Sequence, residues 1–295
     1  SLLLQAIYLP LHGIPYAETP LWAGIYLIPS SLANAVFSPI GGKLLNRFGA
    51  RIVSTMGAIL LAVSFELLTL LPITNFNYLL FAAILLLMGS GSGLFMAPNL
   101  VSILSAVPPT ERSAASGLRS AMQYIGLLMS FAIFLTLILT GASTTLTQSI
   151  YRALIGAGVP AADAERLVSI PPVYALFAAF LGYDPIKTLV EQAGISLPSS
   201  VFSSIDRLTF FPSAIAPAMA VGFYYAYHGA AVFAVIAAVL SYLRGREAFH
   251  QQVVVSTAQV SMGRNVKVIE QAGAPASMGA GKVANGGGAT IDIKS

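Results

Sequence analysis

The sequence predicts an all-α membrane protein that crosses the bilayer repeatedly. Three observations carry this. The hydrophobic fraction is 56% against 9% charged residues, the mean hydropathy is +0.80, and apolar runs of spanning length alternate with short polar turns. Soluble domains carry roughly 25% charged residues, so this chain lacks the charge to cover a water-facing surface. The 295 residues contain no Cys, which excludes disulfides and thiolate metal sites. The net charge of +4 is modest, and its placement carries more information than its size.

A spanning helix needs about 20 predominantly apolar residues. That rule gives an incomplete span at about 1–16, then spans at about 21–45, 52–71, 78–106, 113–140 and 214–243. The last is long enough to read in two ways: as one helix, or as an outer helix Ala214–Tyr225 followed by the true span from Tyr227. The chain opens SLLLQAIYLPL, with neither Met nor a charged n-region. A signal peptide is therefore not expected, and the expectation is a sequence that begins partway through a longer protein.

Charge orients the spans. Lys43, Arg47 and Arg51 follow the second span, Arg112 and Arg119 follow the fourth, and Arg244 and Arg246 follow the last. The opposite turns, HGIPYAETP (12–20) and PITNFN (72–77), hold no Lys or Arg. By the positive-inside rule, both ends of the chain face the cytoplasm. Residues 1–243 are then a transmembrane domain interrupted by an external insertion at 142–212. Within that insertion VYALFAAFLGY (173–183) is too short to span, and it reads as an interfacial helix, a re-entrant helix or part of a small cap. Residues 244–295, rich in Gly, Ala and Ser, form an expected cytoplasmic, disordered tail.

The run GSGSGLFMAPN (89–99) places Gly89, Gly91 and Gly93 two apart inside an apolar span. A phosphate-binding loop needs GxxxxGK[ST] between a strand and a helix; no Lys is near and no strand is predicted. At helical spacing Gly89 and Gly93 form GxxxG, which lets helix backbones approach closely in lipid. Gly117, flanked by Ser113 and Ala121, repeats the pattern, and Pro98 adds a kink. These residues serve either a static bundle or helices that rock.

Three stretches resemble the second half of a major facilitator superfamily transporter, and most closely its fourteen-span drug–proton antiporter branch. They are LWAGIYLIPSSLANAVFSPIGGKLLNRFGAR (21–51), GSGSGLFMAPN (89–99) and VPPTERSAASGLRSAMQYIG (107–126). Ala23, Gly24, Pro29, Pro39, Gly42, Arg47, Gly49 and Arg51 match the first motif, and Pro108, Arg112, Ser116, Gly117 and Gly126 match the third. Asn46 replaces the usual Asp before the loop Arg, and Gln123 stands where the branch commonly has Arg. The resemblance implies a six-transmembrane-helix half built from two inverted three-helix repeats, with substrate held at the interface with the other half. It implies eight preceding spans and, as partners, membrane lipid, a small-molecule substrate and that missing N-terminal half.

The resemblance also implies roles for residues. Gly42, Lys43, Asn46, Arg47, Gly49 and Arg51 form a cytoplasmic gating loop that grips neighbouring helix ends in one state; the simpler reading is topology control by charge. Gln5, Tyr8, Asn34, Gln123 and Tyr124 lie on spans that face the central pathway in this family, where they contact substrate or bond between helices. Glu66 is the single acidic residue well inside a span, about 21 Å from the cytoplasmic start of its helix. Intramembrane carboxylates default to functional hypotheses, so Glu66 is a candidate for proton coupling, with a structural carboxylate as the alternative. His12, His228 and His250 are scattered, and neither a metal site nor a nucleophile–base set is expected.

The expected function is therefore transport across the cell membrane and not catalysis. Its form is proton-coupled efflux of hydrophobic or cationic small molecules, driven by the proton gradient without a bound cofactor. Metabolite uptake or exchange, and a non-transporting scaffold or sensor, are the alternatives. Nucleic acid is not an expected partner.

Overall fold

The computed structural model describes residues 1–244; from Gly245 onward, including the expected tail with Arg246 and His250, the chain lies outside the described residues. Among the described residues there is no strand. Four helices are long and apolar enough to cross a membrane: Thr19–Thr69 (α2), Tyr78–Ser105 (α3), the segment Pro109–Ser143 that contains α4 (Arg112–Ser143), and Phe210–Leu243 (α10). They are apolar on every side, as a helix surrounded by lipid and other helices requires.

With 51 residues, α2 is more than twice the length a bilayer needs. It contains both the second and third expected spans. The polar loop expected at 46–51 reduces to one residue, Gly49, whose φ of 80° and ψ of 159° interrupt otherwise helical backbone. That positive φ strains any residue with a Cβ, so one glycine turns the chain and leaves two arms, residues 19–48 and 50–69. Gly49→Ala is expected to cost about 1–2 kcal/mol, read as a lower thermal midpoint. Because no atom lies within 4 Å of a Cβ placed there, that loss reports backbone strain and not a clash.

Between the arms runs α3, started by Asn77, whose side chain accepts the Leu79 backbone N–H at 2.8 Å. The glycine run seats it. A Cβ on Gly89 would collide with the Ser30 carbonyl oxygen and lie 2.8 Å from Ala33 Cβ, and one on Gly93 would stand 2.8 Å from the Ser38 nitrogen, all on the first arm. On the second arm, a Cβ on Gly91 would lie 2.8 Å from the Gly57 oxygen and 2.9 Å from the Leu61 nitrogen. Alternate glycines thus face alternate neighbours. Pro98 lies buried within α3, its Cδ 3.5 Å from the Cβ position of Gly41. Gly117 departs from the expectation: nothing lies within 4 Å of its Cβ position and it is exposed. The close approach of α4 occurs instead at Gly141, where a Cβ would stand 2.7 Å from Gly222 Cα of α10.

The incomplete span at about 1–16 is helical over residues 2–11, with a π-turn Leu4–Tyr8 continued by Leu9–Leu11 (together α1), short of the roughly 20 residues of a full crossing. The chain then turns at His12 and Gly13, the latter at φ 80°. At the other end, α10 is one helix of 34 residues with Pro217 inside it, not an outer helix followed by a span.

The insertion at 142–212 is a folded helical cap: α5 (Leu146–Gly156), α6 (Ala161–Leu167), α7 (Pro172–Leu181), α8 (Pro185–Gln192) and α9 (Ser199–Ile205). Prolines at the starts of α7 and α8 fit the first turn, where no N–H is required. Between them α6 and α7 bend by 88°. Leu154, Leu167, Leu176 and Ile186 are buried in the same core as Ile7 of α1 and Phe223 of α10, so the cap is continuous with the bundle.

Tyr16, from the turn after α1, stacks its ring against the Cα of Gly182, which ends α7 at φ 76°. Burial and the nearby Asp184 charge push the Tyr16 phenol up to about 12. Asp184 caps α8 by accepting the Ile186 N–H at 2.9 Å. Burial raises its carboxyl above the ordinary value, opposed by the backbone N–H groups of Ile186 and Lys187. A raised carboxyl means the folded state prefers the protonated form, so its charge lowers stability as pH rises through the folded value. At neutral pH, Asp184→Asn is expected to keep or raise the thermal midpoint, since an amide oxygen still caps. Asp184→Ala loses the cap and costs about 1 kcal/mol.

Candidate functional site

Polar side chains in apolar helices need partners, and their partners locate the candidate site. Glu66, near the end of the second arm of α2, meets His228 of α10: Nδ1 lies 3.0 Å from Oε2 and 3.2 Å from Oε1. Sequence distance hid this pair, since 162 positions separate its members. The signal that could have found it is depth, because antiparallel spans put residue 66 and residue 228 towards the same face. Both side chains are about half exposed, 51% and 58%.

Asn34 of the first arm donates from Nδ2 to Ser92 Oγ of α3 at 2.9 Å. Ser92 falls between the packing glycines 91 and 93, so the close backbone approach brings its hydroxyl within reach. The pair borders a cleft of about 470 Å³ lined by Ser30, Ser31, Asn34, Phe65, Met88 and Ser92. Three hydroxyls and an amide make this the polar mouth of an otherwise apolar wall.

The other pathway candidates stand apart from Asn34. Gln5 is half-buried on α1, while Tyr8 is buried, its ring 4.0 Å from Phe76 and nearly parallel to it. Tyr8 also lies 4.2 Å from the His12 ring, whose Nδ1 is 2.7 Å from the Tyr8 carbonyl oxygen. Tyr26, Tyr78 and Phe81 extend this aromatic cluster. Gln123 and Tyr124 sit on the part of α4 where residues 121–133 are all exposed. Among the described residues, none of these four bonds to Asn34 through its side chain.

The expected gating loop divides between two environments. Gly42 and Gly49 are partly buried, whereas Lys43, Asn46 and Arg47 are exposed, with the Arg47 guanidinium 5.4 Å from the adjacent Phe48 ring. Arg51 instead lies over the Tyr242 ring of α10 at 4.0 Å. Two residues beyond Tyr242, Arg244 donates from Nη2 to Asn99 Oδ1 at 2.5 Å. Asn99 therefore bonds an arginine. These contacts gather the start of α2's second arm, the end of α3 and the end of α10 on one face, while Tyr8, Phe76 and Tyr78 mark the opposite end.

No cluster of His, Asp or Glu that could hold a metal occurs among the described residues. The comparisons with known proteins agree with the membrane-helix architecture. The chain is 33% identical over 136 residues to the multidrug resistance protein Stp of Mycobacterium tuberculosis, a match covering 46% of this chain and 25% of that protein. It is 32% identical over 124 residues to the methyl viologen resistance protein SmvA of Salmonella typhimurium, covering 42% and 24%. It is 28% identical over 116 residues to the riboflavin transporter RibZ of Clostridioides difficile, covering 39% and 25%. The matched stretch is thus about a quarter of the length of each relative. No solved structure matches. The sequence model of the Major Facilitator Superfamily matches residues 2–162, more than half of the chain. This membrane-embedded chain, whose described residues form helices and no strand, belongs to the major facilitator superfamily of transporters.

Proposed function

We propose that the whole protein exports hydrophobic or cationic small molecules by alternating access, exchanging each for protons that enter down their gradient. The Glu66–His228 pair carries this reading. A carboxylate and an imidazole nitrogen 3.0 Å apart form a pair chemically able to bind and pass on a proton. Within α2, α3, α4 and α10 no other side chain is acidic. In one state the pair is closed and shares its charge; in the other the helices part and Glu66 takes a proton. The proton gradient is the energy source, with no bound cofactor.

The similarity to proteins named for multidrug and methyl viologen resistance supports a hydrophobic or cationic cargo. Asn34, with Gln123 and Tyr124 on the exposed face of α4, and Gln5 and Tyr8 on α1, would contact cargo without adding charge to the pathway. The loop from Gly42 to Arg51 works as a cytoplasmic latch. In this arrangement the basic turns and the end of α10 face the cytoplasm and the cap faces outward, and the six-helix domain 1–243 docks against an N-terminal half of the same polypeptide. The similarity to a riboflavin transporter favours a second reading, transport of a metabolite by the same fold.

The test is flux. Full-length protein in vesicles with an imposed pH gradient should drive accumulation of a lipophilic cationic dye that collapses when the gradient is dissipated. Gradient-independent flux, or none for any cation tried, rules out the antiport reading. Riboflavin counterflow without dye transport would establish the second.

A further inference from the structure

The corner where α10 ends against α2's second arm and the end of α3 holds an excess of donors. Arg51 Nε, Arg244 Nη1, Ser54 Oγ and Ser241 Oγ are all buried with no hydrogen-bond partner among the described residues. The two serines are 0% and 3% exposed. Ser54 sits one turn beyond Arg51, and Ser241 precedes Tyr242, the residue that Arg51 covers at 4.0 Å. Each guanidinium has a buried N–H without a partner and needs an acceptor, because an unmet buried donor pays its full desolvation cost. Arg51 also lies in the first turn of α2's second arm, whose helix dipole adds positive potential. No carboxylate forms an ion pair with either arginine among the described residues.

From this corner an open groove of about 970 Å³ runs between α2 and α10. It is bounded by Thr55 and Tyr242 at the arginine end and by Glu66 and Leu70 at the other. Its walls are aliphatic, with Ile59, Val63, Val232, Val235 and Val239. From Thr55 to Leu70 the helix rises about 22 Å, more than the roughly 15 Å of hydrocarbon in one leaflet. A whole acyl chain fits along it.

We propose that the corner and groove together bind one anionic phospholipid. Its phosphate sits against Arg51 and Arg244, and an acyl chain lies between α2 and α10. This rests on the membrane residence of the chain and on the basic turns facing the cytoplasm, the side on which anionic lipids and juxtamembrane arginines attract each other. It does not depend on which cargo is moved. Charge selects the occupant, because the two arginines repel a cationic cargo and a zwitterionic headgroup gains less from them.

Native mass spectrometry of the full-length protein tests this with palmitoyl-oleoyl phosphatidylglycerol and the matched phosphatidylcholine. The wild type should retain phosphatidylglycerol in preference. Arg51→Ala with Arg244→Ala should cut that preference about 25-fold, about fivefold for each arginine. Arg51→Lys with Arg244→Lys should retain most of it. Val235→Trp fills the groove from an exposed position (52%) and should lower phosphatidylglycerol retention with both arginines intact. This variant decides the matter if the double alanine protein does not fold. Equal retention of the two lipids by wild type, or unchanged retention in Val235→Trp, overturns the proposal.

Discussion

Gly89→Val should lower the stability of the helical domain by about 3 kcal/mol or more, at the upper end for an overpacked site. The added Cβ falls on the Ser30 carbonyl oxygen and 2.8 Å from Ala33 Cβ. Neither neighbour is the movable end of a flexible side chain, so the first arm of α2 must back away from α3. That movement also pulls Ser92 from Asn34, a bond of 2.9 Å, and opens the cleft beside it. Gly91→Val pushes against the other arm, at Gly57 and Leu61, and should cost a comparable amount. The control is Gly117→Ala. With nothing within 4 Å, it should leave the thermal midpoint of detergent-solubilised protein unchanged. Retention of the wild-type midpoint by Gly89→Val would show that the two helices do not touch as described.

Glu66→Gln should reduce pH-gradient-driven dye accumulation about 5- to 150-fold, the range spanned by typical coupling free energies between two bound ligands. The amide keeps the size of the side chain and can still bond His228, but it cannot exchange a proton. Binding of the dye in the absence of a gradient should persist, since the glutamine leaves the Asn34 cleft intact. His228→Ala is the informative companion. Removing the imidazole takes away the partner 3.0 Å from the carboxylate, and should lower gradient-driven accumulation less than Glu66→Gln does. Full gradient-driven accumulation by Glu66→Gln would reduce the pair to a structural contact between α2 and α10.

The two substitutions probe different kinds of information in the chain. Gly89, Gly91 and Gly93 announce themselves locally, because small residues at short intervals in an apolar helix have few uses other than close packing. Their partners are not legible. Gly89 and Gly93 meet the first arm and Gly91 the second, an arrangement that depends on α3 lying between both. Gly117 shows the converse. It carries the same local pattern, yet no described helix approaches it, since the spacing of small residues permits contact and does not create it. Glu66 stands out as the one acid in a span, but its imidazole partner lies on a helix that follows the entire cap.

Hydropathy alone supplied the class of protein and the apolar runs from which its long helices are built. Each of those follows from the transfer free energy of consecutive residues, a sum that needs no neighbours. Three features required the folded chain: a loop condensed to a single glycine at position 49, a cap of five short helices sharing its core with α1 and α10, and the pairing of Glu66 with His228. They arise from backbone reversal, from side chains meeting across long stretches of chain, and from the order in which helices stack. No window of consecutive residues contains that information.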